Sequence, residues 1–444
     1  MNILQNGQKI GYSRSTVSKK ENGYGLHESV FLRINTMGLT QDLTLKTQGI
    51  LNADFTLVSF EFSLNSGRFS FSASGEVSGD QLTVKMQTPE STQQSRIKLD
   101  SKPVLSAGLL PAIVRSGIQP GRSFQLNVFD PATLGQQTVI VKYMGKETIL
   151  NMGVMKDATK VSVEMKGMTQ FAWIDEDGEV LKESGLLGIT LEKTSPPEAL
   201  ADLTLDAAKG VTPDMTQAAS VKSNVALANP NRLQSLKIRL EGIDVNSLQV
   251  NGGRQKLAGD ILSIEKESLA NLKGEAPLPE NDFGETEKTF LAPSAFIESD
   301  HPEIVAMIGK ILSPRDSPLT KVEKIVAWIQ ENIRRQPVLS IPDALLTLQN
   351  RAGDCNEHAV LLAALARAAG IPATVEAGLV YMEGKFYYHA WNSVFVGQWV
   401  TVDSLFNQIP SDVTHIRFAG GTPQQQLDLI GVIGKVKIEV LEYR

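Results

Sequence analysis

The single cysteine of the chain lies in a local sequence that could support nucleophilic catalysis. Cys355 directly follows Asp354, and Glu357 stands three residues after that aspartate, which is the spacing of a helix capping box. This spacing predicts that Cys355 lies in the first turn of a helix, where free N–H groups and the helix dipole favour a thiolate. The charges of Asp354 and Glu357 act in the opposite direction, so the helical position alone does not guarantee an activated thiol.

A cysteine nucleophile also needs a base, and His389 is the best placed histidine in the sequence. It lies in Tyr387–Trp391, at the start of a predicted strand. The next predicted strand, Trp399–Asp403, ends in a carboxylate. The two strands therefore carry a candidate His–Asp pair.

The loop between these strands decides whether His389 and Asp403 can meet, because successive side chains of a strand point to opposite faces. A two-residue turn would place the two residues on opposite faces of the sheet. A three-residue loop at 396–398 pairs Phe395 with Trp399. His389 and Asp403 then lie on one face of the sheet, about 7–8 Å apart at the backbone. The glycine in this loop suits the left-handed conformation that such loops often contain. The sequence therefore predicts the three-residue loop or an equivalent bulge.

Four motifs, taken in this order, resemble the transglutaminase-like superfamily. They are Gly353-Asp354-Cys355-x-Glu357-His358-Ala359-x-Leu361-Leu362, Gly370-Ile371-Pro372-Ala373, His389-Ala390-Trp391 and Trp399-x-x-Val402-Asp403. Each piece alone is weak, whereas the ordered combination is specific, and the resemblance covers about 318–410.

The resemblance implies a papain-like α/β core with a Cys-His-Asp triad. Cys355 matches the nucleophile, His389 the general base and acid, and Asp403 the residue that orients the imidazole. The family's oxyanion hole uses the backbone N–H of the nucleophile, here Cys355, together with a second donor that this sequence does not identify. The interval from His389 to Asp403 is one residue shorter than the common family pattern.

The same residues also have structural interpretations. A lone cysteine is usually a buried small hydrophobic residue, and a single histidine or strand-end aspartate usually has a structural role. His358, three residues after Cys355, is an alternative base or, with Cys355, His389 and Asp403, a zinc ligand. Packing or hydrogen bonding beside the site is its favoured role, and no metal site is predicted.

Two tryptophans and three further histidines have no role assigned so far. Trp391 and Trp399 either wall a substrate groove or pack as core residues of the strands. His27, His301 and His415 have no partner in the sequence pattern and are predicted to lie at the surface. No cofactor motif is present, so no organic cofactor is expected, and calcium stays open.

The composition narrows the class of protein. The 444 residues carry 43 basic and 49 acidic side chains, a net charge of −6, without a basic block, which disfavours nucleic-acid binding. No stretch approaches the ~20 apolar residues of a membrane-spanning helix. One cysteine permits no intrachain disulfide, and no signal peptide is visible at the start.

The first half of the chain has the alternation of half-buried strands. Phe60, Phe62 and Leu64 alternate with polar residues, Asn65-Ser66-Gly67 supplies a turn, and the pattern recurs to about residue 194. This predicts a large antiparallel β-domain, a half-barrel or sandwich over 1–194, with one helical interruption near 105–118. Two strand-like runs then predict a small β-rich module over 195–295.

From about residue 296 the pattern becomes helical. Helix starts are predicted at Pro302 and Pro318, a short helix at Pro342–Leu348 and a fourth at Gly353–Gly370. We assign 296–444 to the transglutaminase-like catalytic domain. The predicted fold class is multidomain α+β, with N-terminal antiparallel β-domains followed by this papain-like α+β domain.

Two N-terminal segments, Gly7–Tyr12 and Trp173–Leu181, look like bacterial envelope proteins with curved antiparallel sheets, related to lipoprotein-carrier half-barrels. This resemblance favours a periplasmic or cell-envelope location over the cytoplasm.

Three functional hypotheses follow. The first is a thiol acyl-transfer enzyme that forms a thioester with protein or peptide amides, with water or an amine as acceptor. The second is a catalytically inactive envelope protein whose β-domains bind a polymer, a lipid or a protein. The third is a carrier with an apolar ligand in its first domain. The sequence does not choose between hydrolysis and amine transfer, and it does not define the oligomeric state.

Overall fold

The computed structural model describes residues 1–67, 69–87, 92–201, 214–270, 272, 283–421, 429 and 431–444. The chain divides into two compact units, which are treated separately below. The first contains Met1–Ala218 with Leu339–Ile341, and the second contains Ala219–Val338 with Pro342–Arg444. No helix within the described residues is both long and apolar enough to cross a membrane.

The described part of the first unit is dominated by one large sheet. Its strands are β1 (Asn2–Gln5), β2 (Gln8–Lys20), β3 (Gly23–Thr36), β4 (Leu39–Leu51), β5 (Leu57–Ser66), β6 (Phe69–Ser78), β7 (Gln81–Gln87), β8 (Thr92–Lys98), β9 (Val104–Leu105), β10 (Ser123–Asp130), β11 (Gly135–Asn151), β12 (Val154–Met165), β13 (Met168–Ile174), β14 (Val180–Ser184) and β15 (Ile189–Glu192). Among the described residues, three α-helices accompany it, α1 (Leu109–Ser116), α2 (Pro196–Leu200) and α3 (Met215–Ala219), the last at the border between the two units along the chain.

The sheet is made of two runs of consecutive strands that meet where β1 pairs with β15. Strands β1 to β8 follow one another across the sheet, β1 also pairs with β15, and the order then runs back from β15 to β9. On β5, Phe60, Phe62 and Leu64 point into the core, as the alternation predicted. Helix α1 lies at the predicted helical interruption, and its Ile113 packs on the apolar face of β10–β13. The predicted large antiparallel region is therefore confirmed.

The second unit combines helices with two larger sheets. Its strands are β16 (Val221–Lys222), β17 (Ser235–Glu241), β18 (Gln255–Ala258), β19 (Ile261–Glu265), β20 (Arg334–Arg335), β21 (Ala352–Gly353), β22 (Ala373–Met382), β23 (Lys385–Phe395), β24 (Trp399–Val402), β25 (Ile416–Gly421) and β26 (Lys437–Tyr443). Its helices are α4 (Glu285–Thr289), α5 (Pro302–Ile311), α6 (Pro318–Asn332), α7 (Ala344–Asn350) and α8 (Cys355–Ala368).

One sheet of this unit has the order β16-β23-β22-β25, with β24 also on β23, and another has the order β18-β19-β17-β26. The two strand-like runs predicted between 195 and 295 are β17 and β19. They share their sheet with β26, which lies far along the chain. The division of the chain at 194/195 and 295/296 stays a prediction.

Helix α8 is the central element of the second unit. Leu361, Ala363 and Leu365 are fully buried, because apolar side chains surround most of this helix rather than one face. The helix ends before Gly370, whose φ of 79° lies in the left-handed region that favours glycine. The other predicted helix starts, at Pro302 and Pro318, are those of α5 and α6.

Candidate active site

The start of helix α8 holds Cys355 in its first turn. The Asp354 carboxylate accepts a hydrogen bond from the Asn356 N–H at 3.0 Å, and the Glu357 carboxylate accepts one from the Asp354 N–H at 3.0 Å. The predicted capping box is therefore confirmed. At Gly353, an added Cβ would lie 2.3 Å from the Glu357 Cβ, so glycine there lets the box close.

The Cys355 sulfur lies against an open section of strand edge. On one edge of β23, β16 pairs up to Phe386 and β24 pairs from Asn392 onward. Between these two partners, the described residues place no strand on that edge, and the backbone N–H of Ala390 is close enough to the Cys355 sulfur to lower the pKa of the thiol. The buried Asn392 side chain also donates to the Ala359 carbonyl of α8 at 2.9 Å. The helix thus brings the thiol next to the residue that follows His389.

The Cys355 thiol is neutral in this structure. Although the residue is partly exposed, its sulfur is densely surrounded by protein atoms. This burial, followed by the charge of Asp354, raises the pKa of the Cys355 thiol well above its usual value, and Glu357 and Asp403 add to the effect. The lowering expected from the helix start is therefore outweighed. The prediction from the sequence did not include burial, because the sequence pattern does not show how many atoms surround the sulfur.

We expect Asp354→Asn to make Cys355 more reactive. Asparagine caps a helix as well as aspartate does, so the helix start is retained while a charge that raises the Cys355 pKa is removed. Alkylation by iodoacetamide at pH 8 should become about 3–10-fold faster, which corresponds to a fall of up to about one pKa unit. Asp316→Asn, which affects an ion pair with Lys324, is the matched control and should leave the rate unchanged. An unchanged or slower rate in Asp354→Asn would contradict this electrostatic explanation.

The loop between β23 and β24 has the predicted register. Phe395 pairs with Trp399, which confirms the three-residue loop, and Gly397 has a φ of 102°. This register places His389 and Asp403 on one face. The His389 Nε2 lies 2.6 Å from the Asp403 Oδ2, and both side chains are buried.

The contact also defines the tautomer of His389. An ionised carboxylate can only accept hydrogen bonds, so Nε2 carries the proton that it donates to Asp403. In the neutral ring, Nδ1 is then free of a proton and can accept one. An imidazole in this state can act as a base toward a thiol.

Four donors hold the Asp403 carboxylate in place. Its Oδ1 accepts the backbone N–H groups of Leu405 and Phe406 at 2.8 and 2.9 Å, and its Oδ2 accepts from His389 and His415. Burial alone would raise the pKa of Asp403, but the charge and hydrogen bond of His389 and the contacts of His415 hold that pKa well below its usual range. Asp403 is therefore ionised and fixed in orientation.

The surface position predicted for His415 is wrong. The residue is fully buried, and its Nε2 lies 3.0 Å from the Asp403 Oδ2 while its Nδ1 lies 3.3 Å from the Asp412 Oδ1. Neither His415 nor Asp412 was a candidate from the sequence, because no short motif connects them to the cysteine. A weak signal was present, since a histidine stands three residues after an aspartate within a dozen residues of Asp403.

Aromatic rings enclose the imidazole of His389. The Phe406 ring stacks on it at 4.7 Å between ring centroids, and the Trp391 ring lies 6.1 Å away at a small interplanar angle. Trp391 is 1% exposed, and its indole N–H donates to Glu376 at 2.8 Å. Trp399 is only partly buried, beside Phe290 and Phe395. A groove-lining role for the two tryptophans stays a prediction, and the burial of Trp391 favours its role in the core.

His358 lies inside the helix-start region, with its Nδ1 2.7 Å from the Asp354 carbonyl oxygen. Its Nε2 is buried and has no hydrogen-bond partner within the described part of the chain. Burial lowers the pKa of His358, which favours the neutral ring. This placement suits the packing and hydrogen-bonding role that the sequence favoured.

The groups that could ligate a metal ion together are His389, Asp403 and His415, rather than the set that includes Cys355 and His358. The Asp403 Oδ2 lies 2.6 and 3.0 Å from the two imidazole nitrogens, and such separations are those of hydrogen bonds. Both imidazoles already contact the Asp403 carboxylate, so the observed contacts are hydrogen bonds.

Comparisons with known proteins agree with the C-terminal assignment. Residues 306–404 match the family model described as the transglutaminase-like superfamily. No curated protein matches this sequence significantly.

Several solved structures are similar over part of the chain. A candidate cysteine protease from Cytophaga hutchinsonii is 16% identical, covers 48% of this chain and 87% of its own, and has a TM-score of 0.30. The periplasmic domain of TgpA from Pseudomonas aeruginosa is 16% identical and covers 42% and 87%, with a TM-score of 0.27. A β-barrel-like protein of unknown function from Brucella abortus is 9% identical and covers 40% and 83%, with a TM-score of 0.31. The C-terminal part of this chain, from residue 306 to residue 404, is a transglutaminase-like domain.

Proposed function

We propose that this chain is a thiol acyl-transfer enzyme acting on protein or peptide amides. The observation that carries the proposal is the 2.6 Å contact between the His389 imidazole and the Asp403 carboxylate, close to the Cys355 thiol, whose pKa is affected by both the Ala390 N–H and Asp403. The transglutaminase-like match over 306–404 supports the same class of chemistry. In this proposal Cys355 is the nucleophile, His389 the base and acid, and Asp403 the residue that orients His389.

The reaction begins with a neutral thiol. As the Cys355 sulfur attacks the carbonyl carbon of an amide, its proton passes to the free Nδ1 of His389, so no preformed thiolate is required. The C–S bond forms while the carbonyl π electrons move to oxygen, which gives a tetrahedral oxyanion. The backbone N–H of Cys355, in the first turn of α8, has no partner within its own helix and can donate to this oxyanion.

The intermediate then collapses to a thioester. The C–N bond breaks as the His389 imidazolium gives its proton to the leaving amine. Water or a primary amine next attacks the thioester, His389 takes the proton of that acceptor, and the Cys355 sulfur leaves and regains a proton. Asp403 holds the ring through both steps and stabilises its charged form.

Mass spectrometry of the intact protein tests this proposal directly. The chain is incubated with a peptide library with and without an added primary amine, and the acyl adduct and the products are identified. We expect an adduct that maps to Cys355, which the amine or water discharges, and which is absent from Cys355→Ala. Product formation at an unchanged rate in Cys355→Ala would refute the mechanism.

A second candidate is a catalytically inactive binding protein, and two observations favour it. The first is the raised pKa of the Cys355 thiol, which such a protein would tolerate. The second is a cavity of about 490 Å³ on the sheet of the first unit, lined by side chains that include His27, Gln48, Glu61 and Lys85. The apolar side chains of Leu26, Ile50 and Phe60 line the same cavity, so its lining does not exclude an apolar ligand. A chain that forms no adduct and no product with any peptide, yet binds one partner, would support this candidate. The envelope location stays a prediction.

A further inference from the structure

His415 extends the site beyond the three residues that the proposed function uses. Its two ring nitrogens face two different carboxylates, Asp403 at 3.0 Å and Asp412 at 3.3 Å. His415 is 0% exposed, and the two aspartates are at most 3% exposed. The order of contacts is therefore Asp412, His415, Asp403 and His389, without an exposed member.

The two carboxylates specify the charge of the ring between them. Because ionised carboxylates only accept hydrogen bonds, both nitrogens of His415 must donate, which requires the imidazolium form. Burial opposes this charge, but the hydrogen bonds and charges of Asp403 and Asp412 outweigh it and raise the pKa of His415. Asp412 is itself held by the Thr414 N–H and hydroxyl at 2.8 and 2.6 Å, so its acceptor position is fixed.

A glycine in β22, Gly378, allows the His415 ring to lie close to His389. Gly378 of β22 pairs with His389 on one side, and an added Cβ there would lie 1.9 Å from the Ile416 carbonyl oxygen of β25. This close approach sets β25, and with it His415, beside the His–Asp pair. The centroids of the two imidazole rings are 5.7 Å apart, and both rings contact the same oxygen, Oδ2 of Asp403.

The other groups around His415 leave its charge in place. The edge of the Trp391 ring system meets it at 5.1 Å between centroids. The Arg254 guanidinium reaches only the backbone carbonyl of His415, at 3.2 Å, and is itself paired with Glu267. From helix α8, Cys355 and His358 lie within the electrostatic reach of Asp403, and burial favours the neutral form of both by raising the pKa of the thiol and lowering that of the imidazole.

We propose that His415 is a positioning residue of the site, a buried cation that neutralises Asp403 from behind and so keeps His389 free to accept the thiol proton. This proposal rests on the proposed function for its effect on catalysis, but not for the charge of His415. Without the cation, the full negative charge of Asp403 would act on His389 alone. The His389–Asp403 pair would then hold its proton more tightly, and a base that already carries a proton cannot accept another.

The charge is tested on the full chain labelled with ¹⁵N-histidine. At about pH 7.5, above the ordinary pKa of a free imidazole, we expect one ring to keep two protonated nitrogens and to be absent from His415→Gln. In Asp412→Asn the same ring should lose its second proton at a lower pH than in the unsubstituted chain, because a neutral acceptor stabilises the cation less. A His415 ring with only one protonated nitrogen at about pH 7.5 in the unsubstituted chain would overturn the proposal. This readout stands even if no peptide is ever turned over.

The effect on catalysis is tested with His415→Gln and Asp412→Asn, using a peptide that the unsubstituted chain cleaves or transfers. We expect kcat to fall at least about 10-fold with KM within about two-fold, and the acidic limb of the kcat profile to move up by about one pH unit. A merely structural role would lower kcat without moving that limb, and this result would overturn the proposal. His301→Gln, at the cap of α5, is the matched control and should change neither quantity. If Cys355→Ala retains full activity, the proposed function fails. The ¹⁵N measurement then still decides the charge of His415, because it does not depend on catalysis.

Discussion

Cys355→Ala is expected to lower kcat/KM by at least about 10⁴-fold on any peptide that the unsubstituted chain turns over. The reason is that the proposed thioester requires a thiol, and Cys355 is the one cysteine of the chain. The substitution removes a single sulfur atom that is packed by protein atoms, so a small loss of stability is expected without loss of the fold. Steady-state kinetics measures the first quantity and thermal unfolding the second.

Cys355→Ser is the matched variant for this experiment. It keeps nearly the size of the side chain but replaces the thiol with a much weaker nucleophile. We expect it to be as inactive as the alanine variant and equally well folded. If either variant kept the full rate, Cys355 would have no catalytic role, and the activity would have to come from another group of the protein.

Asp403→Ala is expected to affect both activity and stability. It removes the acceptor of two buried imidazole rings and of two backbone N–H groups in partly buried residues. Breaking a buried charged network in this way costs about 3–5 kcal/mol of unfolding free energy. Because His389 also loses its orientation, kcat should fall by about 10²–10⁴-fold. Chemical denaturation and steady-state kinetics measure the two effects.

Asp403→Asn separates the two effects. The amide has nearly the same size, but its NH₂ group faces imidazole nitrogens that already donate, so activity should fall while stability falls less. The pKa of Asp403 is depressed in the folded state, so its contribution to stability is present above about pH 4 and is lost as the pH falls below that value. The variant should therefore lose part of this acid dependence. Asp42→Asn, in a surface ion pair with Arg33, is the control and should change neither activity nor acid stability.

The features of the fold that could be predicted are those that depend on residues close together in the sequence. Three helix starts of the second unit carry their own signals, namely Pro302, Pro318 and the capping box at Asp354, and these signals act within one turn. The register of β23 and β24 was predictable for the same reason, since loop length and side-chain alternation decide it.

Two features of the site could not be predicted in this way. The pKa of Cys355 depends on how densely the folded protein surrounds its sulfur, which neighbouring residues in the sequence do not reveal. His415 depends on β25 pairing with β22 across a long interval of chain, and on Gly378 allowing their close approach. The sequence therefore predicted the local pieces of the candidate triad but missed the cation behind it.

The pairing of β17 with β26 has a consequence for biosynthesis. Arg239 and Glu439, which face each other across these strands, are 200 residues apart in sequence. At about 5–20 residues per second on the ribosome, β17 waits about 10–40 s for its neighbour to be translated. During that interval its unpaired edge is exposed to other nascent chains, so a chaperone or a slow-folding intermediate has time to act before the sheet closes.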